Sequence, residues 1–441
     1  MMDANGEHTR KLYETDDNGF LIEARWAPDG QRLLYSRIDK SGATLESLDL
    51  KGGPPTKTLS FTGNSLGGYI WLPDGRLLYQ VMEQSENEYT CNYWLVRIDE
   101  HTGAMIGEPR RVTNWTGFCM GDESVTADGK QLTFRKWTAQ HSVYVADLAA
   151  NGTRVGTPRQ LTPTKSKNYL SAWTTDSKAV IFASRGNGGW GIYKQSLDND
   201  AAEPVVASLP GYGVYEDQKD IALPRTSPDG QWVLYTIKGQ ENGSSGWTNL
   251  MRVPLAGGHP ELVLTGNLQG PPSCANPPET LCAIAEQSPD LKQLVFTAVD
   301  PQSGRGRELA RSDIDPNGDH VWNGDHVWAL SPGGTRIALL NTEEGTLHIL
   351  WFDGKPSVEV KVKGWKSLDS VAWAANEKGL YTSGHTQRAS VLLHVDLRGN
   401  SQVLWTQDGG SGTYAIPSPD GRHLAMKSWT LDSDIWMLEN F

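Results

Sequence analysis

Features that mark several common protein classes are missing from this sequence of 441 residues. It has no run of about 18 apolar residues, so we expect no segment that spans a bilayer. The first residues contain no apolar stretch of the signal-peptide type, so no such peptide is expected there. No segment keeps helical periodicity for more than about two turns, which excludes a helical fold.

Basic residues are also in deficit. The chain has 40 Lys and Arg against 52 Asp and Glu, a net charge of −12 and a pI of about 5.3. Nucleic-acid-binding proteins usually carry a basic patch and a positive balance, so we expect no direct nucleic-acid partner. Binding to acidic membrane surfaces is disfavoured for the same reason.

Cysteine is scarce, and no CxxC pair is present, which excludes a zinc ribbon. Cys274 and Cys282 lie eight residues apart in a Pro-rich loop, and we expect them to form a disulfide. Cys91 and Cys119 are the second expected pair. Such bridges would indicate an oxidising compartment, and the alternative is four free thiols in a cytosolic protein.

One short phrase repeats along the chain: a turn of the Pro-Asp-Gly type followed by an apolar strand. Consecutive copies begin 43 to 61 residues apart, which is the length of one four-stranded propeller blade. Nine copies occur, at 26–38, 71–82, 125–137, 173–185, 226–238, 287–299, 330–341, 373–384 and 417–429.

Local chemistry explains the phrase. Pro presets φ, Asp bonds back to its own turn and Gly takes a positive φ, so the phrase joins an inner strand to a second strand. The second strand, as in 232–235, is apolar because both of its faces pack between blades. A third strand ending in Asp follows, and a more polar edge strand such as 110–113 or 159–162 completes the blade.

The sequence therefore predicts an all-β fold: a single closed β-propeller of four-stranded antiparallel blades over residues 1–441. Nine blades are expected, or eight if the irregular stretch 240–282 absorbs one phrase. Residues 9–15 are expected to pair with the blade at 414–441 and so close the ring. Four tryptophans before the turn are expected to pack between blades: Trp26, Trp71, Trp173 and Trp373.

The phrase resembles the repeats of TolB-like propellers, and no Gly-His…Trp-Asp signature of the WD40 type recurs. The stretches CNYWLVRID from Cys91, WTTDSKAVIFASR from Trp173 and PSPDGRHLA from Pro417 are similar to the sensor propellers of acidobacterial-type receptor serine/threonine kinases and winged-helix regulators. This resemblance implies an extracytoplasmic sensor or interaction module that belongs to a bacterial signalling protein. It implies no particular binding residues.

Motifs of catalysis are weak in this chain. The GxSxG match at 63–67 has no helix after it, and the GxGxxG match at 186–191 has no βαβ unit around it. A partial calcium loop lacks its last carboxylate, because Gly324 stands at the twelfth position. Its metal ligands would be Asp313, Asp315, Asn317 and Asp319, beside a duplicated GDHVW segment that contains His320 and His326.

We therefore expect a non-catalytic binding or sensor propeller without a required cofactor, whose ligand is a protein, peptide or carbohydrate bound at the rim. A metal-dependent lyase or hydrolase with a metal in its channel, and a scaffold without a small ligand, are the alternatives. Aromatic residues in the rim loops are the candidate ligand contacts: Trp115, Trp137, Tyr169, Trp190, Trp247, Trp365 and Trp429.

Overall fold

The computed structural model describes residues 7, 9–15, 19–39, 42–62, 66–84, 89–162, 167–186, 189–209, 223–238, 248–314 and 327–441. In these ranges the regular structure is β-strand, apart from a short 3₁₀ turn at Ala150–Gly152. The strands form antiparallel sheets, most of them four-stranded, which confirms the predicted propeller blades. The chain divides into two compact units: unit 1 comprises residues 1–138 and 432–441, and unit 2 comprises residues 139–431.

The repeated phrase forms the turn that its residues predict. In one copy the Thr174 hydroxyl donates to Asp176 Oδ1 at 2.6 Å, and the same oxygen accepts the backbone N–H of Lys178 at 3.1 Å. The Ala179 N–H donates to Thr174 Oγ1 at 3.0 Å, which fixes the start of the second strand. In the next copy Gly230 has a φ of 72°, a value that glycine adopts without strain.

Unit 1 contains three sheets. The first is β1 (Phe20–Trp26), β2 (Arg32–Asp39), β3 (Gly42–Asp49) and β4 (Thr56–Thr62). The second is β5 (Leu66–Trp71), β6 (Arg76–Gln84), β7 (Tyr89–Ile98) and β8 (Met105–Arg111). The third combines β9 (Cys119–Val125) with parts of two long strands, β10 (Gln131–Ala149) and β34 (His423–Glu439). The inner strands β1, β5 and β9 contact one another in that order.

Unit 2 contains six sheets. Five of them follow one another along the chain; the first is β13 (Asn168–Trp173), β14 (Ala179–Gly186), β15 (Gly189–Ser196) and β16 (Glu203–Val206), and the second is β17 (Arg225–Thr226), β18 (Trp232–Lys238), β19 (Thr248–Pro254) and β20 (Glu261–Gly266). The third is β21 (Ser273–Cys274), β22 (Cys282–Gln287), β23 (Gln293–Asp300) and β24 (Gly304–Asp313), and the fourth is β25 (Trp328–Leu330), β26 (Arg336–Asn341), β27 (Thr346–Trp351) and β28 (Val358–Lys361). The fifth is β29 (Ser370–Trp373), β30 (Gly379–His385), β31 (Ala389–Asp396) and β32 (Ser401–Asp408). The sixth joins β33 (Gly410–Pro417) to β34 and β10, with β11 (Arg154–Val155) and β12 (Arg159–Gln160) at its edge.

The inner strands of unit 2 form a cycle of contacts. β13 contacts β17, and the series continues through β21, β25, β29 and β33 back to β13. Indole groups attach neighbouring inner strands: Trp173 Nε1 donates to the Ile416 carbonyl at 2.8 Å, and Trp373 Nε1 donates to the Ala329 carbonyl at 3.0 Å. A tryptophan before the turn thus attaches its blade to the blade that precedes it in the cycle.

Two long strands belong to both units. In unit 1 the Asn440 N–H donates to the Lys130 carbonyl at 3.2 Å, and in unit 2 the Leu148 N–H donates to the Arg422 carbonyl at 2.7 Å. The sequence predicts one ring of nine or eight blades in one domain. The described strands instead divide the nine phrases into three sheets of unit 1 and six of unit 2, because β10 and β34 each supply a strand to both.

The predicted pairing of residues 9–15 with the C-terminal blade is wrong within one chain. These residues form no strand. In the last sheet of unit 2, β34 pairs with β33 on one side and with β10 on the other, so neither edge of β34 is left for residues 9–15. The segment lies against the first sheet of unit 1. Tyr13 stacks on Tyr35 with ring centroids 5.7 Å apart, and Arg10 donates to the Leu50 carbonyl at 3.4 Å.

Burial confirms the predicted packing role of Trp71, Trp173 and Trp373, each at most 5% exposed. The same prediction is wrong for Trp26, which is 56% exposed. Its strand β1 is the inner strand of the first sheet of unit 1, and all seven residues of that strand are exposed.

Both predicted disulfides are confirmed, with Cα atoms 4.8 Å apart in Cys91–Cys119 and 4.0 Å apart in Cys274–Cys282. The second bridge closes the turn between β21 and β22, which are the inner and second strands of their sheet. The phrase at 287–299 was expected to form that turn, but it joins β22 to β23. The disulfide-closed loop takes its place.

Candidate binding site

The structure buries the predicted rim aromatics more deeply than expected. Trp247 lies outside the described residues. Of the other six, Tyr169 and Trp190 are buried, and Trp115, Trp137, Trp365 and Trp429 are half-buried. Trp115 and Trp137 belong to unit 1, and the remaining four belong to unit 2. Each unit therefore has its own set of these aromatic residues.

The two aromatics of unit 1 pack inside their own sheets. The Trp115 ring lies 5.4 Å from the rings of Phe118 and Phe134, and its backbone N–H donates to Asn92 Oδ1 at 2.7 Å. Trp137 lines a cavity of about 370 Å³ among the inner strands of unit 1. These contacts give Trp115 a structural role under its loop.

In unit 2, by contrast, side chains from four strands converge on one cation. Lys427 Nζ lies 4.6 Å from the centroid of the Tyr169 ring, 5.5 Å from that of Tyr414 and 5.9 Å from that of Trp429. His141 completes the group, with its ring 4.7 Å from Tyr169 and 5.4 Å from Trp429. We call these five residues the Lys427 cluster.

The strand order explains why they meet. Tyr169 stands at the start of the inner strand β13, and Tyr414 lies in the neighbouring inner strand β33. Lys427 and Trp429 lie in β34, which pairs with β33 on one side and with the strand of His141 on the other. The cluster therefore lies at the end of the blades where the inner strand β13 begins, and there β34 and β10 continue as long strands.

Electrostatics keep His141 uncharged. Burial is the main cause that lowers the pKa of His141 to about 2, and the positive charges of Lys427 and Lys167 lower it further. The Tyr169 hydroxyl lies 3.5 Å from His141 Nε2, whereas His141 Nδ1 and Trp429 Nε1 are buried and have no hydrogen-bond partner among the described residues. An unpaired polar atom in a protein interior costs free energy.

A second polar group lies on the same rim, in the sheet β29–β32. His385 Nε2 lies 2.9 Å from Asp369 Oδ2, and the Ser390 hydroxyl lies 3.1 Å from His385 Nδ1. Burial raises the pKa of Asp369, although His385 acts against this shift. The predicted aromatic residue Trp365 packs against Gly384, which directly precedes His385. A Cβ atom added to Gly384 would lie 3.1 Å from Cε3 of Trp365.

This acid, imidazole and hydroxyl line resembles the residue types of a serine hydrolase, but its exposure does not suit one. Asp369 and His385 are about 40% exposed, whereas Ser390 is fully buried. A nucleophile must reach its substrate. Ser390 and His385 are also partners across the tight β30–β31 hairpin, so their contact has a local structural explanation.

The channel of unit 2 is lined by inner strands and by the turns that follow them. The cavity has a volume of about 130 Å³, which is large enough to hold several water molecules. Its lining includes Arg225, whose guanidinium donates to the Ser171 carbonyl at 2.7 Å, and the indole-bearing residues Trp173, Trp328 and Trp373. The described lining is polar enough to hold water and includes no acidic side chain.

The predicted metal site is mostly outside the described residues. Asp313 is at the end of β24 and accepts a hydrogen bond from Gln293 Nε2 at 2.9 Å, while Asp315, Asn317 and Asp319 are not described. Throughout the described ranges, no group of three or more His, Cys, Asp or Glu side chains is placed to hold a metal ion. Across those same ranges, no helix is long and apolar enough to cross a membrane.

Sequence reasoning missed Lys427, His141 and the Asp369–His385 pair. A signal existed for Lys427, because it stands seven residues after the Asp of its phrase, where other copies have Ala183 or Thr236. A lysine in an otherwise apolar second strand is an exception that needs a partner. No motif marks His141, whose position depends on β10 pairing with a strand almost 300 residues away.

No family model matches this chain, and no curated protein matches it. Among solved structures, TolB from Acinetobacter baumannii is 13% identical, with a TM-score of 0.36 over 81% of this chain and 80% of TolB. An oligogalacturonate lyase in complex with manganese is 12% identical, with a TM-score of 0.31 over 92% of this chain and 88% of the lyase. A puromycin-hydrolyzing peptidase from Mycobacterium tuberculosis is 14% identical, with a TM-score of 0.33 over 87% of this chain and 53% of the peptidase.

The resemblance to acidobacterial-type kinases and regulators stays a prediction. The four-stranded antiparallel sheets of the chain are those of a β-propeller protein.

Proposed function

We propose that this protein is a non-catalytic binding propeller that captures a polar ligand at the Lys427 cluster. The observation that carries the proposal is the convergence of three aromatic rings on Lys427, with the half-buried Trp429 as the member of the cluster that a ligand can reach. Ammonium and indole N–H groups donate hydrogen bonds and accept none, so the complementary ligand is rich in acceptor oxygens. A peptide or a carbohydrate has that chemistry, and aromatic rings suit both.

The burial of the Ser390 hydroxyl supports a role without catalysis. Ser390 is fully buried, and no described cluster offers the donor set of a channel metal. The specific alternative is hydrolysis by Ser390, His385 and Asp369. A fluorophosphonate probe tests it directly: labelling of the native protein that disappears in Ser390→Ala would contradict the binding role.

The two disulfides support a location outside the cytoplasm, since structural disulfides persist in oxidising compartments. Together with the resemblance to sensor propellers, this favours a sensory or protein-interaction module of a bacterial signalling protein. The location is testable by fractionating cells and alkylating the protein without reductant. Labelled cysteines in most of the cellular protein would contradict an oxidising location.

Ligand binding is tested with paired tryptophan variants. Peptide and glycan arrays identify a binder, and calorimetry then compares the native protein with Trp429→Ala and Trp365→Ala, both half-buried on the rim of unit 2. We expect Trp429→Ala to weaken binding at least tenfold, as for the loss of one stacked ring and one donor. Trp365→Ala is the matched control. Loss in the control alone would place the site at His385 and refute the proposal.

A further inference from the structure

Unit 1 has an open first face. In unit 2 two tryptophans that precede a turn, Trp173 and Trp373, attach their blades to the preceding blade. The equivalent Trp26 is 56% exposed. Leu21 lies on the same face of β1 as Trp26 and is 38% exposed. The β2 partners of Leu21 and Trp26 are Arg37 and Leu33, which are four residues apart and therefore share one face of β2. Tyr13 covers Tyr35 on the second strand but leaves this inner-strand surface open.

Unit 1 also has an incomplete last sheet. Its first two sheets have four strands each, whereas the third has only β9, part of β10 and part of β34 among the described residues. Leu438 packs into the core with the second sheet. Ile435 and Met437 alternate with it and are therefore on the opposite face, where they are 75% and 56% exposed. Among the described strands this sheet has no fourth member, and the face that Ile435 and Met437 share is exposed.

The segment at residues 9–15 has the sequence and the chain position of a fourth strand. Its Arg-Lys-Leu run is similar to the fourth-strand stretches Arg110–Thr113 and Arg159–Thr162. In the complete sheets the fourth strand is followed in the chain by the next inner strand, as β4 is followed by β5 and β20 by β21. Residues 9–15 lead into β1 in the same way, yet they form no strand in their own chain.

Blade number supplies the missing partner. Unit 2 shows that six blades of this repeat complete a cycle of inner-strand contacts. Unit 1 has three blades with one open face at each end, so two copies provide six. In such a pair the blade that precedes β1 is the third blade of the other copy. That is the blade without a fourth strand.

Charge and area agree with this pairing. The open strand carries Asp432 and Asp434, and the segment at 9–15 carries Arg10 and Lys11. At roughly 200 Å² per large side chain, the four exposed residues present on the order of 450 Å² per copy. Two copies would bury about twice that from these residues alone, which approaches the roughly 1,200 Å² at which stable interfaces begin.

We propose that two copies of this chain close a six-bladed ring through their unit 1, with residues 9–15 of each copy forming the fourth strand of the third blade of the other. The contact is the same on both sides of a two-fold axis, so the assembly stops at the dimer. This proposal is independent of the ligand at the Lys427 cluster.

Cysteine cross-linking tests it on the full chain, because the four native cysteines are already paired. We expect the double variants Leu12→Cys/Ile435→Cys and Leu12→Cys/Met437→Cys to give a covalent dimer under oxidation in at least one register. The matched control replaces the second cysteine with Val403→Cys, an exposed site of unit 2. A disulfide within one chain would overturn the proposal, as would equal dimer formation in the control.

Sedimentation measures the assembly without cross-links. We expect the native chain to sediment as a dimer, and Arg10→Glu/Lys11→Glu to weaken the dimer at least tenfold. Adding Asp432→Lys/Asp434→Lys should restore it, which a merely destabilised variant would not do. A native chain that stays monomeric at about 50 μM, or that forms polymers, would refute the closed ring.

Discussion

His141 and Lys427 show how one buried residue sets the charge of another. Lys427 is 7% exposed and keeps its place among the rings of Tyr169, Tyr414 and Trp429, where the faces of the aromatic rings attract a cation. Burial, and after it the charge of Lys427, lowers the pKa of His141 and so disfavours a second positive charge in the cluster. The neutral imidazole packs between the rings of Tyr169 and Trp429.

This arrangement predicts a specific acid sensitivity. Because the pKa of His141 falls from 6.5 to about 2 on folding, the unfolded chain binds a proton between these values and the folded chain does not. Stability from this residue is therefore present above pH 6.5 and is lost as the pH falls below it, by about 2 kcal/mol at pH 5. His141→Phe keeps the stacking and removes the proton.

We expect denaturant midpoints of the native protein to fall more between pH 7 and pH 5 than those of His141→Phe. Carboxylates whose pKa is lowered by turn hydrogen bonds, such as Asp176, lose stability with acid in both proteins and cancel in the comparison. Parallel pH profiles would show that His141 titrates normally. His423→Phe, at a half-buried histidine of the same strand as Lys427, is the control.

At the scale of the element, the sequence predicts the blades because each strand pair is local. The phrase at 173–185 contains its own turn hydrogen bonds and its own apolar strand, so this segment adopts the strand pair that the sequence predicts. The long strands were missed for the opposite reason. Neither Thr138–Ser142 nor Thr430–Asp434 contains Gly or Pro, so β10 and β34 continue where a loop between strands was expected. Only a distant partner strand decides that continuation.

The two disulfides differ in the length of chain they close, and this predicts their relative effects. Cys274–Cys282 spans 8 residues and Cys91–Cys119 spans 28. Loop-closure entropy then gives about 2.5 kcal/mol for the short loop and about 3.5 kcal/mol for the long one. Replacing each pair with alanines should lower the unfolding midpoint, and the change at Cys91 and Cys119 should be larger. Equal or reversed shifts in denaturant titrations would show that local packing dominates.

At the scale of the molecule, the division into two units was beyond the sequence. Nine similar phrases in one chain favour one ring, since nothing in a phrase records which blade it will contact. The exposed Trp26 and the two strands shared by both units contain the missing information, and both depend on contacts far apart in sequence. The expected pairing of residues 9–15 with the C-terminal blade is wrong within one chain for the same reason, because it too depends on a contact far apart in sequence.

The shared strand β34 allows the two units to be perturbed separately. Deleting residues 432–441 removes the third strand of the last sheet of unit 1, with the core contact of Leu438 and the hydrogen bond from Arg76 to the Phe441 carbonyl at 3.0 Å. The part of β34 in unit 2, which holds Lys427, stays in place. About eight strand hydrogen bonds at roughly 0.5–1.5 kcal/mol each are lost from unit 1.

We therefore expect hydrogen exchange to accelerate in 119–138 by at least tenfold, while 168–184 and 370–396 keep their protection. Peptides of β2 and β3, further from the cut, should change less than those of β9. Deletion of residues 1–15 is the control, and it should leave the exchange of 168–184 unchanged too. Loss of protection throughout unit 2 after removal of 432–441 would mean that β34 folds as one cooperative element and that the two units are not separable.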